Sequence, residues 1–338
     1  MEEFTDLPEE EKEFYEHYHF TVDPGQQFVR IDRFLADKIS NVSRSKIQSA
    51  ADANAILVNE KPVKSSYKVK PRDVISIILP YPPHEFELIA EDIPINIVFE
   101  DNDILIINKE AGMVVHPGYG NFTGTMLNAL LFHLKDVSET SQPMLVHRID
   151  KDTSGILVVA KNEASQAKLS KFFFDHNIDR KYVALVWGDF DENEGTVNGN
   201  IGRSAKNRLM RDIFPDDSQG RHAVTHYKVL ERFRYVTLIE CTLETGRTHQ
   251  IRAHMKHIGH PLFNDALYGG DRILKGTTFT KYKQFVENCF LLLPRQALHA
   301  KSLGFTHPST GKYVFFDSEI PKDIQSVIEK WSDYSKNI

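Results

Sequence analysis

Nine residues near the middle of the chain, His147-Arg-Ile-Asp-Lys-Asp-Thr-Ser-Gly155, crowd five ionisable side chains into six positions and then run straight into Ile156-Leu-Val-Val-Ala160. The second run has the length and β-branched content of a buried strand. A polar cluster that ends in Thr-Ser-Gly and abuts such a strand belongs at the strand's rim, where a fold can hold a carboxylate on a rigid edge. Asp150 and Asp152 are the carboxylates so placed. Each also suits a turn residue that bonds its own backbone.

Charge distribution narrows the class of partner. The chain carries a formal −6, yet its first twenty residues hold eight acids against Lys12 alone, so the remainder is close to +1. Residues 21–82 contain ten Lys and Arg against six acids, and residues 201–256 contain eleven against six. An acidic N-terminal extension over 1–20, solvated in character, followed by two basic regions fits a polyanionic partner. Cys241 and Cys289 are too few for a disulfide framework and suit small apolar residues in a reducing cytosol. No apolar run approaches the ~18 residues of a membrane span, and Met-Glu-Glu does not open a signal peptide. A cytoplasmic protein with no membrane partner is expected, and nothing in the sequence requires more than a monomer.

After residue 20, Ile31, Phe34, Leu35 and Ile39 fall at helical spacing within Phe28–Ile39. Asn41 or Ser43 suits the cap of a second helix over Arg44–Ala53, and Asn54 suits a left-handed stop. Ile56-Leu-Val-Asn59 and Asp73–Leu79 read as strands. This helix–helix–strands unit, with Arg44, Lys46, Lys64, Tyr67, Lys68 and Lys70, resembles the αL RNA-binding motif of a small-subunit ribosomal protein and of many RNA-modifying enzymes. Two positions depart from that pattern: Asn54 stands where glycine is usual, and Val58-Asn59-Glu60 replaces Val-Asn-Gly. The unit is placed at 21–83, ending in Pro80-Tyr-Pro-Pro83, with a linker at 84–92 and a second domain at 93–338.

In that second domain, strands are expected at Ile104–Asn108, Gly155–Ala160, Tyr182–Trp187, His226–Glu231, Val236–Leu243 and Tyr313–Phe316, with helices at Thr125–His133 and Glu163–Phe174. Strand runs without strict β–α alternation predict an α+β domain on a mixed, mostly antiparallel sheet with flanking helices.

The His147–Gly155 block closely resembles the signature of RluA/RluD-type RNA pseudouridine synthases. Four further segments resemble that family in the same order: Asn108–Gly118, Arg180–Gly188, Leu243–Arg252, and Arg295–Ala300 with Phe305–Pro308. The likeness runs from about residue 21 to the C-terminus, with Glu110 where the family commonly has proline. It implies that Asp150 is the catalytic carboxylate, Tyr182 the active-site tyrosine and Arg247 the active-site arginine. It also implies that Arg148 fills the space left by a flipped base. With the αL motif present, the RluD-like subgroup is implied. Its RNA substrate would be 23S-type large-subunit ribosomal RNA or an assembly intermediate.

The chemistry accounts for these residue types. Uridine becomes pseudouridine when the base detaches from ribose, turns and rejoins through carbon, with nothing oxidised and nothing added, so no cofactor and no metal are expected. A carboxylate can attack the anomeric carbon, take a sugar proton to give a glycal, or attack the base, and these routes stay open. Arg247 is expected to hold Asp150 ionised, and Tyr182 to stack on uracil and help remove the carbon-bound proton. A helical uridine must be flipped to reach Asp150. Candidate RNA contacts are Arg44, Lys46, Lys64, Tyr67, Lys70, His116, Arg148, Arg203, Gln250 and Arg252. His249, His254, His257 and His260 cluster in sequence but lack a metal-binding signature. The rival readings are a synthase for transfer RNA and a non-catalytic RNA-binding or ribosome-assembly factor.

Overall fold

A computed structural model of the chain describes residues 15–39, 42, 44–79, 88–118, 121–135, 143–207, 209–214 and 219–337. It divides into two compact units, 1–87 and 88–338. In the first, the order is β1 (Tyr15–Thr21), β2 (Val29–Arg30), α1 (Ile31–Lys38), α2 (Arg44–Asp52), β3 (Ile56–Val58), β4 (Lys61–Pro62), β5 (Lys68–Val69) and β6 (Val74–Leu79). An antiparallel sheet runs β1-β6-β3-β4, and β2 pairs with β5. Strand β1 takes in the last residues of the acidic segment that the sequence reading assigns to an extension. Ile31, Leu35, Ile56, Val69 and Ile75 fill the core, each essentially inaccessible. The helix expected over 28–39 starts at Ile31, leaving Phe28 exposed, and the caps expected at Asn41 or Ser43 lie outside the described residues.

Both departures from the αL pattern sit at left-handed backbone. Asn54 ends α2 with φ 57°, and Asn59 and Glu60 turn β3 into β4 with φ 49° and 66°. Two left-handed residues in a two-residue hairpin define a turn that favours asparagine and glycine. Glu60 takes the glycine position because its neighbour is pinned: Asn59 donates to Asp73 Oδ1 at 3.0 Å and accepts from Val74 N at 2.9 Å.

The second unit continues with β7 (Ile97–Glu100), β8 (Ile104–Lys109), α3 (Met126–Leu134), β9 (Met144–Leu145), β10 (Ser154–Ala160), α4 (Glu163–Phe174), β11 (Asp179–Trp187), β12 (Glu194–Arg203) and β13 (Arg211–Phe214). It closes with β14 (Arg221–Arg232), β15 (Val236–Leu243), α5 (Gln250–His257), α6 (Thr280–Leu292), β16 (Leu298–Thr306), β17 (Tyr313–Asp317) and α7 (Lys322–Lys336). The sheet order is β13-β12-β14-β15-β11-β16-β10-β8-β7, with β9 pairing β10 and β17 pairing β16 off this path. Every pairing is antiparallel except β10 with β16. The α+β class and the mixed, mostly antiparallel sheet expected from the strand pattern are what the chain adopts.

Alternation along the central strands distributes the core to both faces. In β11, Val183, Leu185 and Trp187 face α6 and α7, whereas Ala184 and Val186 face α5. In β10, Ile156, Val158 and Ala160 pack with Leu169 of α4, and Leu157 and Val159 pack with Met126 and Leu130 of α3. Two-sided burial explains why 156–160 is an unbroken apolar run rather than an alternating one.

Gly155 is the residue that permits the parallel junction. Its φ is +119°, and a Cβ there would meet the Ala300 carbonyl oxygen at 2.2 Å. Gly155→Ala should therefore cost roughly 2–5 kcal/mol through combined backbone strain and overpacking. Urea unfolding of the variant beside wild type checks this.

Candidate active site

The loop ahead of β10 is tied at several points, and its shape follows from them. Thr153 N donates to Asp150 O at 3.1 Å, closing a tight turn with Asp150 at its start. Lys109, 1 % exposed, donates from Nζ to the carbonyls of Glu110, Met113 and Lys151 at 2.6, 2.9 and 2.8 Å. Burial pulls its ammonium down to about 8. Arg295 donates to Asp152 O at 2.9 Å while its other nitrogens grip Asp323 on α7. His147 accepts from Val158 N through Nε2 at 3.0 Å and stacks on Phe173. Ile149 is buried beneath the loop. Arg148 is exposed and Asp150 is turned to a cleft.

Asp150 Oδ2 accepts from Arg252 Nη1 at 3.1 Å, with His249 Nε2 3.8 Å away. Arg252 is itself clamped by the nearly inaccessible Asp265, Nε to Oδ2 at 2.7 Å and Nη2 to Oδ1 at 2.8 Å. Its guanidinium lies 5.0 Å from the Tyr268 ring centroid. Burial alone would lower the Arg252 pKa, but Asp265 and then Asp150 outweigh it and hold the side chain above the usual arginine range. A cation fixed in this way holds the Asp150 carboxylate in one orientation.

The arginine expected against Asp150 was Arg247, and the structure puts Arg252 there instead. Arg247 Nε donates to His222 O at 3.1 Å, and its backbone N–H donates to Gln250 Oε1 at 2.9 Å. Between the two arginines the chain turns at His249, whose φ of 57° and ψ of 23° mark left-handed backbone at the head of α5. That turn leaves Arg247 on the rim and swings Arg252 beneath the loop. His249 Nδ1 lies 3.1 Å from the Tyr268 hydroxyl, which accepts from Arg211 N at 2.9 Å. Nε2 of the His249 ring is the atom nearest Asp150. Tyr268 and Asp265 are absent from the sequence reading, and His249 enters it only as one of a histidine cluster; the left-handed residue that groups them leaves no local signal.

Tyr182, in β11, lines the cleft with Asp150, Ile149, Leu243, Leu298 and Arg180. Burial raises its phenol, the Arg180 charge opposes this, and the Asp150 charge adds to it. The cleft holds about 440 Å³, inside the range of roughly 300–1,000 Å³ common for small-molecule sites. A second cleft of about 530 Å³ adjoins it, and Arg148, Asp150, His249 and Arg252 line both.

Of the expected RNA contacts here, His116, Arg148 and Arg203 are exposed. Gln250 and Arg252 are interior. Gln250 accepts from Thr245 and donates to Val224 O and Thr225, so its amide holds the turn rather than meeting solvent. In the first unit Lys64 and Lys70 are exposed, whereas the Tyr67 hydroxyl donates to Asp73 at 3.0 Å. Arg44 reaches Asp32 at 3.0 Å; the side chain of Lys46 lies outside the described residues. Arg30, Arg33, Arg44 and Lys68 surround a hollow of about 390 Å³ beside Phe28.

Three of the four histidines of 249–260 have separate partners, His254 bonding Thr225, His260 bonding Trp187 O and His249 bonding Tyr268, while His257 is exposed. Asp101, Asp103 and His307 do lie close together. His307 uses Nε2 on Asp101 and accepts backbone N–H groups at Nδ1, which makes this a hydrogen-bonded brace. Both cysteines are buried thiols. Among the described residues, no helix is long and apolar enough to cross a membrane.

A two-unit chain with a small basic α/β module and a mixed sheet carrying a clamped carboxylate in a cleft is the layout of an RNA-modifying enzyme. Residues 103–257 match the model for the RNA pseudouridylate synthase family, and residues 29–75 match the S4 domain. The chain is 46 % identical over 308 residues to an uncharacterized RNA pseudouridine synthase of Chlorobaculum parvum, covering 89 % of this chain and 94 % of that one. It is 42 % identical over 303 residues to the ribosomal large subunit pseudouridine synthase D of Zymomonas mobilis, covering 88 % and 92 %. Human RNA pseudouridylate synthase domain containing 4 shares the fold, with a TM-score of 0.55 at 20 % identity over 70 % of this chain and 93 % of that one. The chain belongs to the RNA pseudouridine synthases.

The buried imidazoles make the fold acid-sensitive. Burial pulls His147 to about 3 and His254 and His299 to about 4, so all three stay neutral in the folded chain while the unfolded chain takes up protons near 6.5. Unfolding free energy should fall steadily as pH drops from about 6.5 to about 4. His299→Gln should flatten that slope in urea titrations repeated at each pH.

Proposed function

We propose that Asp150 is the catalytic carboxylate of a synthase that isomerises specific uridines of large-subunit ribosomal RNA in the cytoplasm. The observation that carries this reading is the Asp150–Arg252–Asp265 chain at the mouth of the cleft. It holds one carboxylate oxygen on a cation; among the described residues the side-chain contacts of Asp150 all end on Oδ2. The other oxygen is then the one available to a flipped uridine. Tyr182 supplies a flat apolar face for the base and a phenol for the carbon-bound proton. Arg148 and Arg247, on the rim, fill the gap in the RNA and meet phosphate.

The S4 module, within 21–83, delivers the RNA through Lys64, Lys70 and the hollow around Arg30, Arg33, Arg44 and Lys68. Relatives named for the ribosomal large subunit support the substrate, and so does the module's basic surface. Deleting the gene and mapping pseudouridine in total RNA should remove sites in large-subunit RNA. Wild type should restore them and Asp150→Asn should not. Loss confined to transfer RNA would overturn the substrate, and restoration by Asp150→Asn would overturn the catalytic assignment.

The clamp itself is open to measurement. Asp265→Asn keeps the shape but removes the charge that fixes Arg252, and should lower the single-turnover rate about 10–100-fold. RNA affinity measured by filter binding should stay within twofold.

A further inference from the structure

Among the described residues, buried cations in the catalytic unit have dedicated partners, with one exception. Arg252 has Asp265 and Asp150, Arg295 has Asp323, Lys161 has Glu100, and Lys109 has three carbonyls. Arg180, only 6 % exposed, has no carboxylate partner among the described residues. Its Nε is buried without a hydrogen-bond partner, and Nη2 makes one long bond of 3.4 Å to Glu244 O. Its guanidinium lies 5.5 Å from the Phe173 ring centroid and lines the cleft with Tyr182 and Asp150. A Cβ on Gly246 would come within 2.7 Å of Nη1, so this position of Arg180 depends on the bare backbone of the Thr245-Gly246-Arg247 turn. A buried charge without a counter-ion is costly, and such a cost persists where a ligand supplies the missing charge.

We propose that Arg180 is a further catalytic residue, which binds the uracil oxygens and stabilises the negative charge that the base carries during the rearrangement. This rests on the Asp150 cleft being the uridine site. The charge arises by each route left open above. When the C1′–N1 bond breaks, its electron pair leaves with N1 and spreads over O2 and O4. C1′ meanwhile gains the Asp150 oxygen, or gives up its neighbouring sugar proton to it. If Asp150 instead adds to the base at C6, the displaced pair collects on O4. C5 then bonds C1′ as Asp150 is released from C1′ or C6, or returns the sugar proton; on the C6 route the C1′–N1 bond breaks as the C5–C1′ bond forms. The C5 proton passes to water and N1 takes one from it, so the sum is an isomerisation. A guanidinium in a low-dielectric wall is suited to charge that exists only between the two bonded states.

Three properties follow together. With RNA from cells lacking the gene as substrate, Arg180→Met should lower the single-turnover rate about 100-fold or more. Arg180→Lys should recover at least tenfold of that, and RNA affinity should stay within twofold. Because the variant sheds an unmatched buried charge, Arg180→Met should melt no lower than wild type. On a synthetic fragment carrying 5-fluorouridine at the mapped site, where the base is more acidic and leaves more readily, its deficit in consuming that nucleoside should shrink. An Arg180→Met rate within threefold of wild type overturns the proposal. So does weakened RNA binding with an unchanged saturating rate, which marks a phosphate contact, or a lowered melting temperature, which marks a structural brace. Full activity of Asp150→Asn alongside a slow Arg180→Met would remove the Asp150 reading and leave Arg180 standing.

Discussion

The parallel contact between β10 and β16 is the constraint on which the catalytic unit depends. Backbone approaches backbone so closely at Gly155 and Ala300 that no side chain fits between them. Strand β10 is consequently fixed at the sheet's interior, with every residue from Ser154 to Ala160 buried. The turn that precedes it inherits that rigidity. Lys109 of β8 and Arg295, just ahead of β16, hold the turn through its backbone carbonyls, and His147 at the start of the loop ties back to the Val158 N–H of β10. A carboxylate on such a turn has little freedom to reorient.

Electrostatics at the site follow a division of labour. The Asp265–Arg252 pair spends most of one guanidinium on a structural carboxylate and leaves one nitrogen for Asp150. Arg180 has the opposite arrangement, a guanidinium with almost nothing spent on the protein. The first is a device for holding shape, the second a standing cost in the empty fold. Tyr182 lies within the influence of both Arg180 and Asp150, with burial the stronger effect on its phenol.

Much of the architecture was legible because it rests on local pattern. The helix at Glu163–Phe174 and the strand at Val236–Leu243 carry clear periodicity and occupy those residues in the structure. The apolar run at 156–160 had one sensible reading once its length and branching were weighed. Less legible were elements whose cause is distant. Helices α6 and α7 exist because Tyr282, Val286, Ile324 and Trp331 close over Leu185 and Trp187 of β11, a meeting of segments far apart in the chain. The choice between Arg247 and Arg252 was illegible for another reason. It turns on one left-handed residue, His249, stabilised by Tyr268 from beyond the next helix. Gln250 reads as an RNA contact in the sequence for the same reason, its role in the turn being visible only once the turn exists.

The two clefts share Arg148, Asp150, His249 and Arg252 as lining residues. A substitution at any of the four therefore reshapes both at once. Asp265 lines only the second cleft, yet it holds the arginine that borders the first. Neither cleft can be remodelled independently of the other through these residues.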